Sequence, residues 1–228
     1  MPFEDVPARV AGLRERIAAA IARGGHGQAV TLVAVTKTHG LDAVRAAWAA
    51  GVHDVGENKV QEALRKQESV DVPVRWHLIG HLQRNKVRAL DGFALLHSLD
   101  SRRLADAVHA HGVERGRAID ALVQVNVAGE ETKGGYEPDE LLAEAERLTG
   151  LVGIRVRGVM TMAPYTADER VLRATFAGAR EARQLLRDAG HPATELSMGM
   201  SNDFEIAIEE GATLVRLGTV LFGAREAA

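Results

Sequence analysis

Short apolar runs recur along this chain eight times, each parted from the next by a stretch of helical pattern rich in alanine, arginine and leucine. The runs lie at 30–35, 52–55, 74–79, 93–96, 121–127, 154–160, 195–198 and 213–217. The helical stretches lie at 41–50, 58–68, 84–90, 101–115, 138–149, 168–189 and 202–210. A strand that must pair in parallel with the next needs a crossover, and a helix supplies it. Eight such units predict an α/β fold, a (β/α)8 TIM barrel. Val6, Val10, Leu13, Ile17 and Ile21, spaced by three and four, predict an extra N-terminal helix over 4–23, stopped by Gly24-Gly25-His26-Gly27. A doubly wound open sheet is the alternative, because the last units are short. One domain over 1–228 is expected, with the barrel spanning about 29–224.

Start and stop signals support the reading. Asp100-Ser101 precedes one helix, and Pro138-Asp139-Glu140 puts proline and acids in the first turn of another. Gly51, Gly150, Gly190 and Gly211 fall where helices should end in left-handed caps. The loop 128–137 is polar and glycine-rich and is expected to be mobile.

Composition removes several function classes. The chain has 28 basic and 31 acidic residues, a net charge of −3, and 4% aromatics, so it lacks the basic surface and stacking platforms of a nucleic-acid binder. It has no cysteine, hence no disulfide, thiolate metal site or thiol nucleophile. No apolar run approaches the roughly 18 residues of a spanning helix, and the acidic start is unlike a signal peptide. A cytoplasmic protein that binds neither nucleic acid nor membrane is the expectation.

In such a barrel the chemistry sits at the carboxyl ends of the strands. Nearly every run delivers polar residues there: Thr36-Lys37-Thr38-His39, Gly56-Glu57-Asn58-Lys59, His81 to Lys86, His97-Ser98, Asn126, Thr161, Ser197 to Asp203, and Arg216 with Gly218-Thr219. Lys37 ends the first run. In a barrel mouth its amine would be partly desolvated and nucleophilic; at a plain strand end it would snorkel to water. Ser197-Met198-Gly199-Met200-Ser201 and Leu217-Gly218-Thr219 fall in the two loops where barrels hold phosphate. Arg216 interrupts an apolar run and needs either a structural carboxylate or a ligand. His77 and His81 share no helical face, so no metal site is expected; His109 and His111 read as helix-surface residues. The lack of a G-x-G-x-x-G disfavours a dinucleotide.

Together, Thr36-Lys37, Gly56-Glu57-Asn58, Trp76 to Lys86, Gly158-Val159-Met160-Thr161-Met162, Leu196 to Asp203, and Val215 to Thr219 with Phe222-Gly223 make the chain resemble the pyridoxal phosphate homeostasis proteins, the YggS/PROSC group. These are single-domain relatives of the alanine racemase barrel. The resemblance covers roughly 6–224. It implies a fold type III barrel with pyridoxal 5′-phosphate (PLP) held as an aldimine on Lys37. It also implies Arg216 at the ring nitrogen, and Ser201, Gly218 and Thr219, with the Met200 backbone, around the phosphate. Asn58 would stand near the ring, with Ser197 and Met160 as lining residues. The role implied is vitamin B6 homeostasis without robust turnover and with no catalytic residue of its own, exercised as a monomer and with apo PLP-dependent enzymes as partners. Lys59, Lys86 and Lys133 are candidate secondary or transfer sites that nothing separates from surface lysines.

An arginine can only donate, so it would leave the ring nitrogen unprotonated and weaken the ring as an electron sink. The alternative is a PLP-dependent racemase or decarboxylase. A racemase needs two bases on opposite faces of a carbanion. The chain ends at Ala228 without the β-rich domain that supplies a tyrosine in the racemases, and offers only Tyr136 and Tyr165, of which Tyr165 could approach the mouth. A Schiff-base aldolase fits less well, because the run 154–160 carries no lysine.

Overall fold

The computed structural model of the chain describes residues 3–130, 133–166 and 168–223. The expected barrel limit at 224 lies outside the described residues.

Eight parallel strands close into a barrel in sequential order: β1 (Thr31–Val35), β2 (Asp54–Glu57), β3 (Arg75–Leu78), β4 (Leu95–Leu99), β5 (Ile119–Gln124), β6 (Ile154–Met160), β7 (Glu195–Ser197) and β8 (Leu214–Leu217). The last strand returns to the first, pairing Thr31 with Leu214 and Ala34 with Leu217, so the open-sheet alternative is excluded. Around the barrel lie α2 (Leu41–Ala49), α3 (Val60–Ser69), a 3₁₀ segment Arg84–Gly92, α4 (Arg102–Glu114), α5 (Leu141–Thr149), α6 (Glu169–Asp188), α7 (Phe204–Glu209) and α8 (Thr219–Phe222). The expected N-terminal helix is α1 (Val6–Gly24), whose Val6, Val10, Leu13, Ile17 and Ala20 are buried.

Several boundaries differ for local reasons. β4 runs on through His97 and Ser98, which places them in the strand rather than after it. β5 stops at Gln124, and only Val125 bridges on, to Tyr136. Pro138-Asp139-Glu140 forms a turn ahead of α5 rather than its first turn. α7 begins two residues later than expected because the Asp203 carboxylate takes the Met200 N–H at 2.6 Å and closes a turn first. Gly51, Gly190 and Gly211 have φ of 77°, 96° and 99°, as left-handed caps require, but Gly150 has φ −77° and stays right-handed. His111 is buried and pairs with Asp91, so the surface reading fails for it. His109 takes the Gly153 N–H on Nδ1. The loop 126–137 is tied at named points: Asn126 bonds Glu130 and Glu137, and Lys133 bonds Glu130 and the Ala163 carbonyl. Positions 131 and 132 of that loop lie outside the described residues.

Strand alternation splits the core in two. Outward residues join the helices in one large apolar shell. Inward, the apolar filling is small: Val33, Leu95, Leu122, Met160 and Leu214, with Met162 against them. The rest of the interior is polar, which is unusual for a position that water does not reach. Gly158 permits the closure between β6 and β7. Its φ is 153°, a Cβ there would stand 1.9 Å from the Glu195 carbonyl oxygen, and the β5–β6 register shifts beside it. No described helix is long and apolar enough to cross a membrane.

Candidate functional site

The carboxyl ends of the strands surround a cavity of about 650 Å³. Lys37, Asn58, Met200, Ser201, Arg216, Gly218 and Thr219 all line it, so the residues singled out from sequence meet in one place. Ser197 and Met160 do not line it: Ser197 is buried behind Arg216, and Met160 packs into the barrel interior. Asn126 is spent on holding its own loop. His81, read from sequence at the end of the third run, lines the cavity too, whereas sequence reasoning missed Asp100, Gln124 and Gly134. His81 Nδ1 there lies 2.8 Å from Asp100 Oδ2.

Each element places its residue for a reason visible in the backbone. Lys37 follows β1 in a turn whose next residue, Thr38, is left-handed with φ 68°. His39 packs its ring 5.3 Å from Phe222 and 5.6 Å from Phe3, which joins the lysine turn to α8. Gly199 has φ 90°, and a Cβ there would lie 2.6 Å from the Ala207 side chain, so the Ser197–Ser201 turn can sit tight on α7 only with glycine. Gly218 faces the Val35 carbonyl oxygen at 3.4 Å from where a Cβ would stand. Among the described residues no protein acceptor takes the amides of Ser201, Asn202, Gly218 or Thr219. Four such amides and the Ser201 and Thr219 hydroxyls thus lie in two adjoining turns, with Ser201 Oγ also accepting from the Val220 N–H at 3.4 Å, a donor set that suits an anion.

Arg216 is buried, and its guanidinium is held by neutral oxygens: Nη1 donates to Ser197 O at 2.8 Å and Ser197 Oγ at 2.6 Å, and Nη2 donates to Thr161 O at 2.9 Å. Burial pulls it down to about 10, against the attraction of Asp203, so it stays charged at neutral pH. Burial likewise raises the Asp203 carboxyl, opposed by the Met200 N–H and by Arg216.

Behind Arg216 a chain of hydrogen bonds crosses the barrel to its amino end. Ser197 Oγ meets His97 Nδ1 at 2.8 Å, His97 Nε2 meets His77 Nδ1 at 2.9 Å, and His77 Nε2 meets Asp54 Oδ1 at 2.9 Å. Arg75 donates to the same carboxylate. Arginine only donates, so Ser197 Oγ accepts from Arg216, and a carboxylate only accepts, so His77 Nε2 carries a hydrogen toward Asp54. Burial, then the neighbouring His77 and Arg216, push His97 well below its usual range, which agrees with a neutral ring. Burial opposes the Asp54 charge, but the His77 and Arg75 hydrogen bonds outweigh it and hold the carboxyl at about 2.

The two tyrosines stand away from the cavity lining. Tyr136 is buried with its hydroxyl on Glu144, burial and that bond raising it, and Tyr165 is 94% exposed.

Comparison with known proteins agrees with this geometry. The family described as alanine racemase, N-terminal domain, matches residues 10–226. The pyridoxal phosphate homeostasis protein of Aquifex aeolicus is 43% identical over 96% of this chain and 97% of its own. That of Pseudomonas aeruginosa is 44% identical over 98% and 95%. The solved structure of PipY of Synechococcus elongatus with PLP bound superposes with a TM-score of 0.85 at 38% identity, covering 96% of this chain and all of that one. Alanine racemase of Corynebacterium glutamicum shares the fold at 16% identity and a TM-score of 0.76, this chain covering 62% of it.

Proposed function

The chain belongs to the alanine racemase N-terminal domain family and, within it, to the pyridoxal phosphate homeostasis proteins, and from that premise we propose that the mouth cavity holds PLP with Lys37 as its covalent anchor. The protein is a PLP-binding protein of vitamin B6 homeostasis. The observation that carries the site assignment is the meeting of an amine, a buried cation and an anion cradle, from Lys37, Arg216 and the 201 and 218–219 turns, around one cavity.

The residues present fit the cofactor. When bound, PLP supplies an aldehyde that condenses reversibly with primary amines. Lys37 is the amine at the mouth. Ser201, Thr219 and the amides of Gly218 and Asn202 would hold the phosphate; the expected Met200 backbone contact is taken up within the turn, because its N–H goes to the Asp203 carboxylate and its carbonyl accepts from the Asp203 and Phe204 amides. Asn58 would stand beside the ring. Arg216 would face the ring nitrogen and, as a permanent donor, keep it unprotonated. This arrangement binds and stores well but withholds the pyridinium that strong carbanion chemistry uses. The reading extends to a single cofactor-binding unit that acts as a monomer and exchanges PLP with apo-enzymes in the cytoplasm.

The test compares phosphate with ring. In a Ser201→Ala, Thr219→Ala double variant, calorimetry should find PLP binding weakened about tenfold or more and pyridoxal binding nearly unchanged, since only the phosphate ester meets charge-assisted donors there. Equal losses for both ligands would remove the cradle from the account.

A further inference from the structure

The assigned cofactor contacts leave unused a set of charged residues directly behind Lys37. The residues flanking it are gripped from β2 and α3. Thr36 Oγ1 donates to Glu57 Oε1 at 2.5 Å, the Thr36 carbonyl accepts from Lys66 Nζ at 2.8 Å, and Thr38 N–H donates to Glu62 Oε1 at 2.7 Å. Lys66 Nζ links the two acids, 2.7 Å from Glu57 Oε1 and 2.8 Å from Glu62 Oε1. The Glu57 side chain is fully buried and that of Lys66 is 9% exposed.

Two facts say that this cluster holds the turn rather than merely filling the seam. Thr38 sits at φ 68°, a region that β-branched residues avoid, and its N–H is taken by Glu62. Burying a lysine with two carboxylates also costs desolvation that apolar residues would not incur. Apolar residues could pack between β2 and α3, but they could neither accept from Thr38 nor donate to Thr36. Without those bonds Thr38 is free to leave the left-handed region, and the direction of the chain at Lys37 changes with it.

We propose that Glu57, Lys66 and Glu62 are positioning residues that aim the Lys37 amine into the cavity and thereby set how readily it takes up and releases the cofactor. The inference rests on Lys37 being the anchor, as read above. Uptake forms a carbon–nitrogen double bond between Lys37 Nζ and the aldehyde carbon, and the carbonyl oxygen departs as water with the two amine protons. Release is the reverse hydration. The three residues act through the flanking Thr36 and Thr38. They fix where Nζ starts from, so their removal should slow linking without altering contacts to phosphate or ring.

The experiment uses the full chain freed of cofactor, and follows linking to PLP by stopped-flow absorbance beside equilibrium binding of pyridoxine 5′-phosphate, which has an alcohol in place of the aldehyde. Lys66→Met and Glu62→Ala should link about tenfold more slowly, the scale of releasing one strained backbone residue, while binding pyridoxine 5′-phosphate within about twofold of the parent. Glu62→Gln, whose amide oxygen can still accept from Thr38, should recover most of the rate. Labelling of Lys37 by acetic anhydride in the cofactor-free protein should fall in the same order. Parent-like linking in both weakened variants, or equal weakening toward both ligands, overturns the proposal. Should Lys66→Met fail to fold, Glu62→Ala at the cluster's outer edge decides alone. A parent adduct mapped to a lysine other than Lys37 instead fails the functional reading, so the two failures are told apart.

Discussion

Two buried polar networks flank the cavity, and they are built on opposite principles. The one behind Arg216 is a relay through a serine and two imidazoles, strung between a cation at the mouth and a carboxylate at the barrel's amino end. The one behind Lys37 is ionic and compact, a lysine between two carboxylates, and it ends on backbone. The relay lets a cation stand buried without a carboxylate touching it, so Arg216 keeps donors for a ligand. The ionic cluster spends Lys66 Nζ, Glu57 Oε1 and Glu62 Oε1 on one another and on Thr36 and Thr38, and acts on chain direction. A fold with few apolar residues inside its barrel thus uses polar filling for two tasks, one electrostatic and one geometric.

The comparison breaks most sharply under removal of one partner. Lys66→Met should cost about 3–5 kcal/mol in urea unfolding, because it strands Glu57 and part of Glu62 without their cation. Glu57→Gln placed in the same chain should recover much of that loss. His97→Leu should cost less, about 1–3 kcal/mol, because it strands a hydroxyl and an imidazole nitrogen, Ser197 Oγ and His77 Nδ1, rather than a buried carboxylate. If the two single losses came out equal, the division into ionic and neutral networks would fail.

Acidity separates them by sign. His97 resists protonation when folded, so the stability it supports is lost as pH falls below its usual 6.5. Asp54 adds a loss in the same direction later, as pH falls from 3.8 through about 2. Burial raises Glu57 above its usual 4.5 against the pull of Lys66 and Thr36, so the folded chain keeps a proton that the unfolded chain has released, and stability falls as pH rises above 4.5. Above 4.5 and below 6.5 the two contributions have opposite signs. Unfolding free energies measured across that window should slope upward with pH in Glu57→Gln and downward in His97→Gln. The same slope in both variants would contradict the assignment of charge states.

What the sequence made visible follows the same division. Alternating runs and helices define the barrel because period and length are local properties. Lys37 and Arg216 stand out because each breaks a local rule, a charge at a strand end and a charge within an apolar run. His77 and His97 obeyed no such rule: they sit 20 residues apart in consecutive strands, and only the β3–β4 register makes them neighbours. Lys66 carried a fainter sign. It continues the buried spacing of Val60 and Ala63 on α3, where an apolar residue belongs, and its partner Glu57 occupies a strand. A charged residue on a buried face asks for a second one, but naming that partner takes the fold. The pairing of His81 with Asp100 was hidden for the same reason, since they come from separate loops.

The central claim is that Lys37 is the cofactor's anchor. It is tested most directly by the visible spectrum of the protein with PLP before and after borohydride, followed by peptide mass mapping. The account predicts a yellow band that reduction abolishes and an adduct on the peptide carrying Lys37, absent in Lys37→Ala. No band, or an adduct spread over Lys59, Lys86 and Lys133, would contradict it.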